Sequence, residues 1–510
     1  MDESEHCTIK NLIFDSNQNP DHNAIECPGH HPLTYRDLRS QVTNVVKTLN
    51  TAGFHRNNRI AVVAPAGPET AVIIISLMAG FTTVPMNPQN REEEFKRYFS
   101  QTKINALVIQ NGYDTSAAGA AWSQDIPVIE LVPDFGFAGK FRLKAQAAPD
   151  AGEAEFATSS DIAVLLHTSG TTGTQKIVPV TQKQFFLTRQ RHVNVLKITN
   201  SDRFLNILPY YHAMGLGTPL SGTLLAGGTV ICTKDFIPSD FLPLLRTFHP
   251  TWYSAGPAIH QAILREIRKT SSEELKDNSL RGILSGSAHL PAAISQGLER
   301  ALGVPVSEIF ASSETGLISI NLPAREGSVG IPVIEHLKIL DEDGNVPGIG
   351  GEGEIVVKGD TVFGGYEDAP DQNKAAFTDG WFRTGDLGYL DSDGYLFLTG
   401  RKKELINKGG EKISPEEIDT VLKSHPRVRD AMTFGIADPV LGEDIAVLIV
   451  PADDSLTETD LRRFLLERLA PFKLPRKTWF VDGIPRTATG KPLRNEGTKQ
   501  YSGHCDQRAG

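Results

Sequence analysis

Hydrophobic residues in the first half of this chain occur in short apolar runs separated by longer amphipathic stretches. Ile60–Ala64 is β-branched and apolar, Pro68 stands where a helix could begin, and the apolar run Ala71–Val84 is predicted to be a buried core helix. Further strands are predicted at residues 106–110, 127–132, 162–166, 229–232, 251–254, 282–285 and 306–310. Because strands alternate with helical stretches, the pattern predicts an α/β fold with doubly wound parallel sheets covered by helices on both faces.

The pattern becomes antiparallel after about residue 330. Strands at Leu337–Leu340 and Glu354–Val357 flank an Asp-Glu-Asp-Gly-Asn segment, which predicts a small antiparallel β-barrel with hairpin turns rather than calcium loops. A small α+β domain is then predicted from a helix at 415–424, strands at 430–434 and 445–450, and a helix at 457–469. We therefore expect an N-terminal domain at residues 1–400 and a C-terminal domain at residues 401–510.

Composition and charge exclude several classes of function. With 61 acidic and 51 basic side chains among 510 residues the net charge is −10, and no basic run suits a nucleic-acid arm or a polybasic membrane patch. The strongest apolar run is shorter than the ~18 residues of a spanning helix, so no membrane span is expected. No signal-peptide pattern follows Met1, and the four scattered cysteines favour a reducing, cytoplasmic location.

The sharpest chemical feature is the segment Thr168–Lys176, which is rich in glycine and threonine and follows the apolar strand at 162–166. Glycines let backbone N–H groups approach phosphate oxygens, hydroxyls add donors, and Lys176 adds a positive charge, so the segment suits a nucleotide phosphate. Its spacing differs from the G-x-x-x-x-G-K-[ST] motif of P-loop NTPases. Taken alone, such a segment is more often an ordinary solvated loop.

The segment Thr168–Lys176 resembles the T-S-G-T-T-G-x-P-K loop of the adenylate-forming (AMP-binding) superfamily, and other motifs of that superfamily follow in order along the chain. Its members include acyl-CoA synthetases, adenylation domains of peptide synthetases and firefly luciferase. The resemblance implies an AMP-forming acid–thiol ligase, which uses ATP and Mg2+ to activate a carboxylic acid as acyl-AMP and then transfers the acyl group to coenzyme A. Three positions depart from the usual motifs, namely Gln175 for proline, Gln182 for histidine and Ala311 for glycine.

The resemblance assigns the rest of the nucleotide site to further motifs. Phe310–Glu314 resembles an aromatic-Gly-x-Thr-Glu loop, whose ring stacks on adenine and whose glutamate, here Glu314, is the implied Mg2+ ligand. Gly286–Ala288 resembles a Gly-Gly-Ala segment beside the base, and Thr384–Asp386 resembles a T-G-D motif whose aspartate accepts the ribose hydroxyls. The implied ATP and AMP site comprises Thr168, Ser169, Gly170, Thr171, Thr172, Gly173, Lys176, Gly286, Ser287, Ala288, Phe310, Ala311, Ser312, Ser313, Asp386 and Arg401.

Two half-reactions are implied to use this site. Lys491 resembles the near-terminal lysine that bridges the substrate carboxylate and the α-phosphate, so Lys491, Glu314 and Lys412 are the predicted catalytic residues. The C-terminal domain is expected to be mobile and to turn about a hinge at Lys403 before thioester formation. The implied coenzyme A tunnel comprises Gly409, Gly410 and Lys473.

The sequence leaves the acid itself undefined. Tyr211–Leu216 resembles the aromatic-His-x-x-Gly loop of acyl and aryl ligases, and other stretches resemble oxalate-CoA ligases and related fatty-acid CoA ligases. An acyl-carrier protein in place of coenzyme A stays open as an alternative acceptor. A degenerate adenine-nucleotide-binding regulator is the other alternative, although the retained Lys491, Glu314 and Asp386 favour an enzyme. The predicted acid pocket comprises His212, Met214, Tyr253 and Gly256.

Overall fold

The structure is a computed structural model that describes residues 6–15, 19–145, 153–168, 176–270, 275, 278–409, 411–438, 440–487 and 490–502. The chain divides into two compact units. The first contains residues 1–324, 333–335 and 359–375, and the second contains residues 325–332, 336–358 and 376–510. Residues 336–358 and 376–400 thus belong to the second unit, whereas the sequence grouped them with the N-terminal domain. The functional boundary at residue 400 stays a prediction.

The first unit is built on two predominantly parallel sheets, as the sequence predicts. One sheet has the strand order β7-β6-β5-β3-β4-β8-β9, and the other runs β15-β14-β13-β12-β10-β11-β1-β2. The strands β2, β7, β9 and β15 are antiparallel to their neighbours. The strands are β1 (Asn23–Glu26), β2 (Leu33–Thr34), β3 (Arg59–Val63), β4 (Thr82–Pro85), β5 (Ala106–Gln110), β6 (Val128–Pro133), β7 (Phe141–Lys144), β8 (Ile162–Thr168), β9 (Lys176–Thr181), β10 (Arg203–Asn206), β11 (Thr229–Cys232), β12 (Trp252–Ala255), β13 (Gly282–Ser285), β14 (Val306–Ser312) and β15 (Gly316–Ile320).

Helices connect these strands. They are α1 (Ile9–Phe14), α2 (Tyr35–Thr51), α3 (Pro68–Gly80), α4 (Glu92–Thr102), α5 (Ala117–Trp122), α6 (Gln182–Leu196), α7 (Ala213–Leu216), α8 (Thr223–Ala226), α9 (Phe241–Phe248), α10 (Pro257–Ile267), α11 (Ala292–Leu302) and α12 (Pro370–Ala376), with a π-helical turn at Gly217–Gly222. None of the helices in the described part of the chain has the length and hydropathy needed to span a bilayer.

The start of α6 is fixed by a capping box. The side chain of Thr181 accepts a hydrogen bond from the backbone N–H of Gln184, and the side chain of Gln184 accepts one from the backbone N–H of Thr181. Such a cap typically contributes about 1 kcal/mol to helix stability. It sets the register in which Phe185, Thr188 and His192 are buried.

The apolar run Ala71–Val84 is helical for only part of its length, so the prediction of a single buried helix was wrong. The helix α3 ends at Gly80, and β4 lies between β3 and β8 within the sheet. Glycine is a weak helix former, and the β-branched residues 82–84 fit a strand buried on both faces. Hydropathy could not separate the two elements because both are buried throughout.

The second unit contains two smaller sheets. A curled antiparallel sheet has the order β17-β18-β20-β19, with β21 paired to β20, and the other sheet has the order β23-β22-β25-β24, with β26 parallel to β25. The carboxylates of Asp341 and Asp391 each accept two backbone hydrogen bonds, which confirms the predicted hairpin turns. The elements are β16 (Ile331–Pro332), β17 (His336–Leu340), β18 (Gly353–Lys358), β19 (Phe377–Thr378), β20 (Trp381–Leu390), β21 (Leu396–Arg401), β22 (Ile406–Lys408), β23 (Glu411–Ile413), α13 (Pro415–Lys423), β24 (Val428–Asp438), β25 (Gly442–Pro451), α14 (Glu458–Leu466), β26 (Lys477–Phe480) and α15 (Arg494–Ser502).

Enclosed histidines make the first unit sensitive to acid. Burial lowers the pKa of His167, His212 and His260 from 6.5 to about 4, and that of His192 to about 3. These side chains stay neutral in the folded protein, whereas in the unfolded chain they bind protons near pH 6.5. Because the folded pKa is depressed, their contribution to stability is complete above that pH and is lost as the pH falls towards the folded values.

We expect the melting temperature of the protein to fall progressively between pH 6.5 and pH 4, the interval bounded by these pKa values. A His192→Gln variant should show a shallower fall, because it removes one of the protons taken up on unfolding. The measurement is thermal unfolding at constant ionic strength, with His55→Gln as the control because the side chain of His55 is 73% exposed. A melting temperature that stayed constant or rose on acidification would contradict this expectation.

Candidate active site

Four neighbouring strands of one sheet end at the same edge of the first unit. The strands β14, β13, β12 and β10 are adjacent and parallel, so their carboxyl ends lie side by side. The predicted acid-pocket and adenine segments occupy these ends, namely residues 211–216 after β10, Gly256 after β12, Gly286–Ala288 after β13, and Phe310–Ser313 at the end of β14. Segments that are distant in sequence are thereby brought together.

The predicted phosphate loop joins two strands of the other sheet in this unit. The strands β8 and β9 pair antiparallel, with Thr168 opposite Lys176. The intervening predicted residues lie outside the described part of the chain, as does the side chain of Thr168; they are Ser169, Gly170, Thr171, Thr172 and Gly173. The loop is therefore described through its two ends.

Tyr366 connects the phosphate-loop lysine to the predicted magnesium ligand. The Nζ atom of Lys176 lies 4.0 Å from the centroid of the Tyr366 ring, which is a cation–π contact. The hydroxyl of Tyr366 donates a 3.0 Å hydrogen bond to Oε1 of Glu314. The backbone carbonyl of Glu314 accepts a further bond from the N–H of Phe363, at 2.7 Å. One side chain thus contacts both a cation and a carboxylate of the candidate site.

The position of Tyr366 is itself fixed by its surroundings. Only 7% of the residue is exposed, and the ring of Phe363 meets its ring edge-on at 4.8 Å. The Asn373 amide donates to the Tyr366 carbonyl at 2.8 Å, and its oxygen accepts from the Tyr366 N–H at 2.7 Å. Sequence reasoning missed Tyr366; the available signal was Gly365, whose φ of 133° marks a turn that favours glycine.

Glu314 fits the requirements of a magnesium ligand. A carboxylate oxygen is a preferred donor for Mg2+, which in nucleotide sites is usually held by one or two carboxylates together with substrate phosphates. Glu314 is half-buried, and the hydrogen bond from Tyr366 orients its carboxylate. The proximity of Lys176 to the same tyrosine ring is consistent with a ligand that carries phosphate.

A β-bulge shapes the end of β14, where the adenine loop begins. The register between β14 and β15 shifts between Phe310 and Ala311. Ala311 is exposed, so its methyl group is accommodated at a position where the resembling motif has glycine. The hydroxyls of Ser312 and Thr315 lie 3.1 Å apart and link the two sides of the turn, while Phe310 and Ser313 are half-buried.

The acid-pocket loop contacts the segment predicted to line adenine. The Ser287 hydroxyl donates to the Met214 sulfur at 3.6 Å. A Cβ atom added at Gly286 would lie 3.2 Å from the terminal methyl of Met214, so glycine allows this close approach. Ser287 has a positive φ of 71°, and Ala288 beyond it is exposed. These predicted residues are therefore neighbours in the structure.

The other predicted acid-pocket residues differ in what they offer a ligand. The ring of His212 lies 4.4 Å from that of Tyr211, and its Nε2 atom is enclosed with no hydrogen-bond partner among the described residues. Burial lowers the pKa of His212 to about 4, so its side chain is neutral near pH 7. Gly256 is buried before α10. Tyr253 has no exposed surface; it lies in the hydrophobic core, with its hydroxyl 3.2 Å from Nδ1 of His260.

In the second unit, Asp386 and Arg401 form an ion pair across neighbouring strands. They are register partners on β20 and β21, with Arg401 Nε 2.8 Å from Asp386 Oδ1. Asp386 is 7% exposed, and its charge raises the pKa of Arg401. A carboxylate held in this way can accept hydrogen bonds from a vicinal diol, as the predicted ribose contact requires.

Lys491 lies on a short hairpin of the second unit. Its backbone carbonyl accepts a 2.8 Å bond from the N–H of Thr487, and its own N–H donates to the Thr487 hydroxyl at 3.1 Å. A bridge between Arg486 and Pro492 closes the hairpin. Lys491 is exposed on this hairpin.

Three of the predicted hinge and tunnel residues also lie at turns or short helices of this unit. Lys403 is exposed in the turn between β21 and β22, and Gly409 adopts a φ of 62° in the turn before β23. Lys473 pairs with Glu417 at 2.6 Å. The predicted residue Gly410 and the side chain of Lys412 lie outside the described part of the chain.

Comparison with known proteins identifies the family. The model of the AMP-binding enzyme matches residues 14–367, and the model of the AMP-binding enzyme C-terminal domain matches residues 417–491. The chain belongs to the AMP-binding enzyme family. The family resemblance inferred from the ordered motifs is thereby confirmed.

Relatives of this AMP-binding enzyme cover nearly its whole length. Oxalate–CoA ligase of Arabidopsis thaliana is 36% identical, covering 93% of this chain and 95% of the relative, and sulfoacetate–CoA ligase of Cupriavidus necator is 32% identical, covering 91% and 92%. ATP-bound MatB from Rhodopseudomonas palustris has a TM-score of 0.85 at 27% identity, covering 97% and 99%. Bacillus subtilis o-succinylbenzoate CoA synthetase with its acyl-adenylate intermediate has a TM-score of 0.83 at 27% identity, covering 98% of each chain.

This AMP-binding enzyme is an acid–thiol ligase. It activates a carboxylic acid with ATP to form acyl-AMP and then forms a thioester with coenzyme A, with Mg2+ as the metal cofactor. The predicted fold class, reaction and cofactors are thereby confirmed.

We expect Tyr366→Phe to raise the Mg2+ concentration needed for half-maximal activity by about tenfold, because residues that orient a metal ligand typically contribute a factor of that order. The substitution removes the hydroxyl that orients Glu314 but keeps the ring beneath Lys176. The measurement is a Mg2+ titration of thioester formation at saturating ATP. Tyr389→Phe is the matched control, because the Tyr389 ring stacks on Phe397 in the second unit. An unchanged Mg2+ requirement in Tyr366→Phe would contradict the orienting role.

Proposed function

We propose that Lys176, Glu314 and Lys491 carry the adenylation step of this ligase. The observation that carries the proposal is the contact of Lys176 and Glu314 with the single side chain of Tyr366. A carboxylate and a polyphosphate are both anions, so cations must be present where they meet. Lys176 binds phosphate oxygens of ATP, and Glu314 would hold Mg2+, whose charge would help to neutralise the departing pyrophosphate.

Lys491 stabilises the charge that develops at the point of attack. A carboxylate oxygen of the acid forms a bond to the α-phosphorus, the bond from that phosphorus to the bridging oxygen breaks, and pyrophosphate leaves with that oxygen. The ammonium group of Lys491 contacts the attacking carboxylate and an α-phosphate oxygen. Its exposed position on a closed hairpin supports this role, because an exposed side chain is accessible to a ligand.

The nucleotide is held by contacts of different kinds. Phe310 stacks on adenine beside Gly286–Ala288, and Asp386 accepts the ribose hydroxyls while Arg401 orients its carboxylate. His212 is neutral and therefore contributes a hydrogen bond rather than a charge to the acid. The positive charge that polarises the reacting carboxylate then comes from Lys491 alone among these acid-contacting groups.

Coenzyme A is the acceptor in the second half-reaction, and its passage is assigned to Gly409, Gly410 and Lys473, whereas Lys412 is assigned to the nucleotide phosphate. Lys473 is paired with Glu417, so a phosphate of coenzyme A must replace that carboxylate when it binds. We also propose a cytoplasmic location for the enzyme. An acyl-carrier protein is the alternative acceptor of the acyl group. Thioester formation with free coenzyme A, compared with a pantetheinylated carrier protein under the same conditions, separates the two acceptors.

The acids named in relatives of this chain indicate which kind of acid the enzyme activates. Oxalate, sulfoacetate and 2-succinylbenzoate, which are named in relatives of this chain, each carry a second anionic group in addition to the carboxylate that forms the thioester. This shared chemistry supports a compact, doubly charged acid as the substrate, rather than a long apolar acyl chain.

We expect Lys491→Ala to lower acid-dependent exchange of label between pyrophosphate and ATP by about a hundredfold or more, the usual loss when a preorganised charge is removed. Binding of ATP, followed by calorimetry, should change little, because the phosphates retain Lys176 and the metal. The comparison requires wild-type protein at matched concentration and an acid that supports exchange.

Lys499→Ala is the control for this experiment, because Lys499 is an exposed lysine on the neighbouring helix α15. It should exchange label at the wild-type rate. Equal exchange by Lys491→Ala and wild type would exclude the assigned role, and absence of acid-dependent exchange in the wild-type enzyme would exclude the proposal as a whole.

A further inference from the structure

Arg189 is a half-buried cation to which the described residues give no acidic partner. It lies on α6 one turn beyond Phe185, and its guanidinium stands over the Phe185 ring, 4.7 Å from the centroid. Its Nε atom is inaccessible to solvent and has no hydrogen-bond partner in the described part of the chain. Burial lowers the pKa of Arg189 to about 10, so the group remains charged at neutral pH.

Other arginines of the first unit are paired with carboxylates. Arg191, two residues further along the same helix, pairs with Glu335 and contacts Thr361. Similar pairs join Arg203 to Glu26 and Arg281 to Asp202. A charge held away from water without a counter-ion destabilises a fold. The presence of Arg189 at this position therefore points to a role in binding rather than in stability.

The guanidinium of Arg189 lies against the acid-pocket loop. A Cβ atom added at Gly217 would stand 2.5 Å from Nη1 of Arg189, so the guanidinium occupies the space beside this glycine. Gly217 directly follows α7, and its N–H donates to the carbonyl of Met214. The helix α7 in turn begins immediately after His212. Arg189 therefore adjoins the two predicted pocket residues His212 and Met214.

The same turn of α6 also contacts the loop that bears the magnesium ligand. A Cβ atom added at Gly316, two residues after Glu314, would stand 2.5 Å from the hydroxyl of Thr188. On the other side, His192 is neutral, because burial and then the charge of Arg189 lower its pKa to about 3. Arg189 thus lies on a helix that contacts two loops of the candidate site. Neither His192 nor Thr188 neutralises its charge.

We propose that Arg189 binds a second anionic group of the acid substrate, so that the ligase selects short acids with a distal carboxylate or sulfonate. A guanidinium presents donors in a planar fork that matches two oxygens of either group. The side chain is partly exposed, which gives a small molecule access to it. The inference rests on the proposed function, because it requires that residues 211–217 line the acid pocket.

The first test uses the unmodified enzyme and pairs of acids that differ only in the distal charge. Malonate is compared with its monoamide, succinate with its monoamide, and sulfoacetate provides the sulfonate case. The readout is acid-dependent exchange between pyrophosphate and ATP. For the best doubly charged acid we expect kcat/KM at least about a hundredfold above that of its monoamide, which keeps the reacting carboxylate but lacks the distal charge. A site built around a charge rejects an analogue that lacks it.

The outcomes of this first test are distinct. Exchange that is fastest with a monoamide or a plain alkyl acid of the same length overturns the inference and the proposed doubly charged substrate, but leaves the proposed adenylation by Lys176, Glu314 and Lys491 intact. Exchange with none of the acids, charged or uncharged, counts against both. Preference for dicarboxylates over sulfoacetate, or the reverse, identifies which of the two anionic groups the site accepts.

The second test assigns the preference to Arg189. We expect Arg189→Gln to reduce the ratio of kcat/KM between the doubly charged acid and its monoamide by at least about tenfold, mainly through a higher KM for the former. Arg189→Lys should retain part of the preference, because it keeps the charge but loses the planar fork. Lys183→Gln is the control, since it removes a charge from the same helix at a partly exposed pair with Asp360. An unchanged ratio in Arg189→Gln overturns the inference.

A binding measurement covers the case in which turnover of a variant is too low to compare. In the presence of a non-hydrolysable ATP analogue, the preferred doubly charged acid should raise the melting temperature of the wild type and of Lys183→Gln but not of Arg189→Met. An equal rise in all three proteins overturns the inference.

Discussion

A cation that must meet an anionic ligand has to be held in place without being neutralised. In the first unit, the two cations that we propose bind substrate both contact aromatic rings, since Lys176 lies over Tyr366 and Arg189 lies over Phe185. The negative face of a ring attracts a cation but leaves its charge available to a ligand. Other arginines of the unit are committed to buried carboxylates, which fixes the fold but removes their charge from binding. An aromatic contact by itself does not mark a substrate-binding cation, since Arg281, which is paired with Asp202, also lies over the Trp252 ring.

A second constraint is the common edge formed by parallel strands. Because β10, β12, β13 and β14 end side by side, the segments that follow them must converge, and this much could be predicted from strand and loop patterns. The ordered motifs added the chemistry of each segment. The contact between Met214 and Ser287 is a direct result, since it joins a residue assigned to the acid with one assigned to the base.

Other features could not be predicted, for physical reasons that differ. Tyr366 contacts residues that are distant in sequence. Its position in a Gly-Gly-Tyr segment can indicate a turn, but it cannot indicate which residues the side chain contacts. Arg189 is one of several charges on α6, and it is distinguished from Arg191 by tertiary contacts, namely the packing of Gly217 against its guanidinium and the pairing of Arg191 with Glu335. Tyr253 was assigned to the acid pocket, but it lies within a strand and is buried in the hydrophobic core. Alternation along a strand determines which side a residue faces only when one side is polar, and this sheet is buried on both.

Ala311 stands where the family motif has glycine, and the local geometry shows how this difference is accommodated. Glycine at such a position suggests either a backbone conformation closed to other residues or a close approach that a Cβ atom would block. Ala311 is exposed and does not have a positive φ, and it follows a shift in the register between β14 and β15. A bulge redirects the side chains that follow it, so the methyl group turns to solvent while the chain continues to Glu314. The constraint at this end of β14 is therefore on the path of the backbone towards Glu314, the predicted metal ligand, and the exposed alanine is compatible with it.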